Sequence, residues 1–155
     1  MALAGFSAIV VLFKRRESGK WLATDADRFQ GMVVHAMYAA AFCLLPWVVR
    51  LFSTQPPIVW SIASGLLGAQ LVCHVTIILR LPTSSVRARL IASAGFVVAA
   101  LQFANALGVG FAHELRPYVV GILWHMFHAG MLFVMLVLIA PEHIQHDGDI
   151  ADDSP

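Results

Sequence analysis

The chain has 155 residues, 59% of them hydrophobic and 12% charged, with a mean hydropathy of +0.79. An ordinary soluble domain carries about a quarter of its residues as charges, so this composition excludes one and points to a membrane protein. The net charge of +1 leaves no basic surface for nucleic acid, and no nucleophilic triad, P-loop or dinucleotide fingerprint is present, so catalysis by the chain alone has no motif to rest on.

The first apolar run, "MALAGFSAIVVLF" at positions 1–13, reaches only about 20 Å as a helix, short of the roughly 30 Å of hydrocarbon in a bilayer. Its basic residues Lys14, Arg15 and Arg16 follow it, the reverse of a signal peptide. It reads as a short retained helix or half-span with its N-terminus outward, or as the end of a helix that starts upstream of Met1.

Four longer apolar runs follow, at 31–52, 57–79, 88–111 and 118–140. Each is long enough to span, and because backbone groups in lipid must be bonded within the segment, each is expected to be a helix. The connections "STQPP" and "AHELRP" are short, so consecutive helices should be antiparallel neighbours. The expected fold is all-α: an integral membrane up-down bundle of four transmembrane helices, preceded by a short N-terminal apolar helix. Pro56, Pro57 and Pro117 stand where helices start, and Pro46 falls inside the first span, where it should kink it. Pro141 ends the last helix, and the acidic tail 141–155 is expected to be disordered.

Eight of the ten basic residues lie in the segment 14–28 and in the loop after span two; only Arg50 and Arg116 flank the other two connections. The positive-inside rule then places the basic loops and the C-terminus in the cytoplasm. Cys43 and Cys73 come out at different depths, too far apart for a disulfide, and read as small buried apolar side chains.

Small residues recur along span two at Ser61, Gly65, Gly68, Ala69 and Cys73, and along span three at Ala92, Gly95, Ala99 and Ala106. This small-xxx-small pattern lets helix backbones approach closely, either between these two helices or between protomers. With only four helices to bury one another, a homo-oligomer or a place among other membrane subunits is expected.

All nine carboxylates fall outside the four spans. The polar residues within them are His35, Tyr38, Gln70, His74, Gln102, Asn105, His125 and His128, with His113 at the outer edge, and intramembrane ionisable residues of this kind mark functional sites by default. Counting depth from the span ends gives two groups: His35 with His74, flanked by Tyr38 and Gln70, near the inner face, and His125 with His128, Gln102 and Asn105 in the outer half. The plain reading of both is interhelical hydrogen bonding. Sharper alternatives are a b-type haem held axially by His35 and His74, a metal held by His125, His128 and His113, and a small channel lined by His, Gln and Asn.

The stretch "AGFSAIVVLFKRRESGKWLATDADRF", a small-residue apolar run, a basic cluster, a Trp and a D-x-x-R-F turn into the next helix, resembles the N-terminal third of small uncharacterised bacterial polytopic membrane proteins of about four spans. That resemblance implies a bacterial inner-membrane location and no assigned activity. In those proteins the first apolar run is longer than 1–13. The sequence as a whole points to a non-enzymatic, lipid-embedded bundle that forms oligomers or joins a larger complex, its buried polar contacts mainly structural. The main alternative is a haem b-binding electron-transfer subunit.

Overall fold

The computed structural model describes residues 23–80 and 86–138. They form four helices, α1 (Ala23–Arg50), α2 (Pro56–Arg80), α3 (Val86–Leu107) and α4 (Leu115–Leu138). All four are long and apolar enough to cross a membrane, and there is no strand among the described residues. The chain is a multi-pass membrane protein, all-helical over the described residues. The expected short helix 1–13 and the tail 141–155 lie outside the described residues.

Helix ends depart from the apolar runs for local reasons. α1 begins at Ala23 rather than near Gly31. The polar stretch before the apolar run contains no helix breaker, and Asp27 near the start of the helix suits the positive end of its dipole. α3 stops at Leu107 although its apolar run continues to Phe111. Gly108 and Gly110 take left-handed backbone angles (φ +71° and +73°), as does His113 (φ 56°), and a left-handed glycine just past the last turn ends a helix. α4 begins at Leu115, with Pro117 in its first turn, where a missing N–H costs little.

The helices pack most extensively as two pairs, α2 on α3 and α1 on α4. Lipid removes the hydrophobic drive between helices, so close contact depends on small side chains. A Cβ added at Gly95 would stand 2.7 Å from Val75 Cγ2, and one at Gly68 would stand 3.2 Å from Gln102 Cβ. On the other side of the bundle, a Cβ at Gly121 would meet Leu67 Cδ2 at 2.5 Å. Ser61 Oγ also donates to the Ala106 carbonyl at 2.6 Å. The small faces of spans two and three therefore close the bundle within one chain. Two residues read as part of that face turn outward instead: Ala69 and Cys73 are exposed, because they lie a helix face away from Gly68 and Leu71. Cys43 is exposed as well, so both cysteines look out of the bundle rather than into its core.

The core holds Phe42, Ala63, Leu67, Leu71, Val98, Ala99 and Tyr118. Pro46 sits inside α1 and supplies no N–H, so the Phe42 carbonyl one turn earlier lacks its helical donor. The Tyr118 hydroxyl donates to that carbonyl at 2.5 Å, across the α1–α4 interface. A side chain of α4 thus satisfies the backbone group that Pro46 leaves open.

Candidate functional site: a four-histidine centre

His35 of α1, His74 of α2, and His125 and His128 of α4 meet in one cluster. The His35 ring lies 4.7 Å from His74, 5.3 Å from His125 and 5.0 Å from His128, centroid to centroid. His35 and His125 are buried, at 4% and 0% exposure, and His128 is buried beside them. Tyr38 lies against His125 and His74 at 5.5 and 6.3 Å, and Phe42 stacks parallel to His125 at 6.3 Å.

The two separate groups expected from depth counting are one group: the His35 ring is in contact with His74, His125 and His128 alike. The apolar runs from which depth is counted do not begin where α1 and α4 begin, at Ala23 and Leu115.

Hydrogen bonds fix the ring tautomers. The Gln70 side-chain oxygen lies 2.9 Å from His125 Nε2; a carbonyl oxygen only accepts, so His125 donates Nε2–H and keeps a lone pair on Nδ1. His35 Nδ1 lies 3.1 Å from His125 Nδ1, so in the neutral pair His35 donates Nδ1–H. His128 Nδ1 donates to the Trp124 carbonyl one turn back, at 3.0 Å. A neutral imidazole carries one N–H, so His35 and His128 each present a lone pair at Nε2. His74 Nε2 and Gln70 Nε2 are buried at the same centre without a hydrogen-bond partner. The centre therefore holds imidazole lone pairs at His35 and His128 together with an unpartnered amide donor at Gln70.

Gln102 and Asn105, expected beside His125 and His128, are engaged elsewhere. Gln102 Nε2 donates to the Pro117 carbonyl at 2.6 Å. Asn105 Nδ2 donates to Ser64 Oγ at 2.8 Å and to the Glu114 carbonyl at 2.9 Å, while its Oδ1 accepts from the Glu114 N–H at 2.9 Å. These two amides pin α3 to the start of α4 and to α2. Tyr38 and Gln70 do lie at the histidine centre.

His113 lies in the turn before α4, where its Nε2 would be 2.9 Å from a Cβ on Gly108, twelve residues ahead of His125. The triad His113, His125 and His128 is not assembled. Among the described residues no group of three or more His, Cys, Asp or Glu side chains is placed to hold a metal ion. His35 and His74 are adjacent, but their rings meet directly, edge to face, at 78°. Two axial imidazoles must stand on opposite sides of an iron, with metal–nitrogen bonds of about 2 Å each, so this pair as arranged does not flank a haem.

Two partners were not evident from spacing. Ser64 stands among the small residues of span two, and its hydroxyl accepts from Asn105. Tyr118 was read only as the start of a span, and the signal that finds it is Pro46, which implies an open carbonyl at Phe42. Comparison with known protein families, curated proteins and solved structures gave no match, so function is argued from this geometry.

Proposed function

We propose that the chain is a non-enzymatic, multi-pass protein of a bacterial inner membrane whose working part is the histidine centre, acting as a proton-accepting group within a larger membrane assembly. The observation that carries the reading is the hydrogen bond between two chemically identical nitrogens, His35 Nδ1 and His125 Nδ1, at 3.1 Å. A proton taken up at the His35 Nε2 lone pair lets His35 pass its Nδ1–H to His125 Nδ1, and His125 can then release its Nε2–H, so both rings end neutral with one proton moved across. Ser61, Gln102, Asn105 and Tyr118 hold the bundle around this centre, the structural role expected of buried polar contacts.

Association with other subunits belongs to the same reading. Among the described residues the carboxylates Asp27 and Glu114 lie at helix ends, so a proton leaving the centre passes to water or to a partner subunit rather than to an acidic side chain beside it. The basic loops and the C-terminus are placed in the cytoplasm on the charge distribution.

The test is proton flux in liposomes for the double variant His125→Gln/His128→Gln against the parent, with helical content checked by circular dichroism. Glutamine keeps hydrogen bonding but does not titrate. The variant should fold and its flux should fall to the lipid background. A folded variant with parental flux, or a parent with no flux, would overturn the proposal. A Soret band in parent protein expressed with haem supply would replace it with the electron-carrier reading, in which α1 and α2 part at the level of His35 and His74.

A further inference from the structure

A groove of about 240 Å³ opens at the end of the bundle away from the loop that joins α2 to α3. Its lining includes Trp47 and Arg50 from the last turns of α1, Trp60 near the start of α2, and Leu115 and Tyr118 from the first turn of α4. Three helices thus contribute to it at one level, and that level is the end of all three candidate spans.

We propose that this groove binds an anionic phospholipid, with an acyl chain along its aromatic wall and the phosphate against Arg50. Four observations carry this. The groove opens from segments that lie in the membrane, so its occupant comes from the bilayer. Its size is below the roughly 300 Å³ at which pockets for compact drug-sized molecules begin, which suits a narrow chain rather than a ring cofactor. The Arg50 guanidinium stands 5.5 Å over the Trp47 ring, so the charge is held at the groove mouth instead of extending freely into water. Among the described residues no carboxylate pairs with Arg50, which leaves its forked N–H donors for a phosphate, the anion they match geometrically.

Tyr118 adds shape without competing for the headgroup, because its hydroxyl is already engaged by the Phe42 carbonyl. Trp47 and Trp60 supply the amphipathic rings that favour headgroup depth. Arg116 follows Leu115 in the chain but is not part of the lining; it adds positive charge at the same membrane face without belonging to the groove.

The experiment measures quenching of Trp60 fluorescence by brominated lipids in vesicles, with Trp21, Trp47 and Trp124 replaced by Phe. Brominated phosphatidylglycerol and brominated phosphatidylcholine are compared at equal mole fraction in an otherwise unbrominated phosphatidylcholine bilayer. An arginine near a membrane surface is worth about 1 kcal/mol toward an anionic lipid, which is about a fivefold preference. The expected result is a preference of that order for phosphatidylglycerol, lost in Arg50→Gln and kept in Arg116→Gln. A matched set retaining Trp47 in place of Trp60 guards against loss of the aromatic wall, and it should show the same pattern. Equal quenching by the two lipids in both sets would reduce the groove to ordinary annular contact. Retention of the preference in Arg50→Gln, or its loss in Arg116→Gln, would show diffuse surface charge and overturn the site.

Discussion

Replacing Tyr118 by Phe removes one hydroxyl from a position that is 1% exposed and leaves the Phe42 carbonyl without a donor, because Pro46 has no N–H to offer it. An unpaired buried carbonyl costs about 1–3 kcal/mol, while hydrogen-bond contacts within membranes average about 0.6 kcal/mol and reach about 1.7. The short 2.5 Å bond and the complete burial place Tyr118→Phe in the overlap, at a loss of about 1–2 kcal/mol. The physical account is specific to the proline, which gives a sharper test than the single variant. In a Pro46→Ala background the new N–H can bond the Phe42 carbonyl along the helix, so Tyr118→Phe should cost about 1 kcal/mol less there. Reversible unfolding in mixed micelles, read by circular dichroism for the four members of the cycle, gives the coupling energy directly. If Tyr118→Phe costs the same in both backgrounds, within the 0.3–0.5 kcal/mol over which independent sites add, the hydroxyl does not serve the carbonyl that Pro46 leaves open.

The remaining predictions concern packing, the α3–α4 turn and topology. Gly68→Leu should destabilise the single chain by about 1–3 kcal/mol through overpacking against Gln102 and Phe103, visible as a lower unfolding midpoint at unchanged oligomer size; a changed oligomer with unchanged stability would put this face between protomers instead. Gly65→Ala should be nearly neutral by the same assay, since its Cβ would meet only Ala106, at 3.8 Å. Asn105→Leu should cost about 1–3 kcal/mol by stranding the Glu114 backbone and should speed protease cleavage between Gly108 and Glu114, so an unchanged cleavage rate would count against the anchoring role. For topology, an impermeant thiol reagent on intact cells, in a background lacking Cys43 and Cys73, should label Cys introduced at Ser53 and not at Ser84; the reverse pattern would invert the orientation.

The four helices were legible because apolar runs of this length have no other way to exist in lipid, and the end of α2 near Arg80 follows directly from its run. The histidine centre was half legible. His35 and His74 were matched in depth, but depth was counted from where the apolar residues begin, and hydropathy does not see that "TDADRFQ" continues as helix. The small faces of α2 and α3 were visible as a pattern, but periodicity alone does not say whether a close approach lies within one chain or between two. That answer needs the partner atoms, Val75 for Gly95 and Gln102 for Gly68. Asn105 was read as a contact for histidines because amides look alike in sequence; its real partners are backbone groups of Glu114, which a linear reading does not bring to it.

The pairing of α1 with α4 carries a consequence for biogenesis. A chain inserted from its N-terminus has α2 and α3 available together early, and their small faces let that hairpin close as soon as both have entered the membrane. α1 has no such option. Its main packing partner is the last helix to be made, and the Phe42 carbonyl remains without its side-chain donor until Tyr118 arrives. His35 likewise has to sit in the bilayer without His125 during that interval. Assembly of the imidazole cluster is therefore the closing event of synthesis, so a chain cut short before α4 would hold His35 and His74 without His125 and His128.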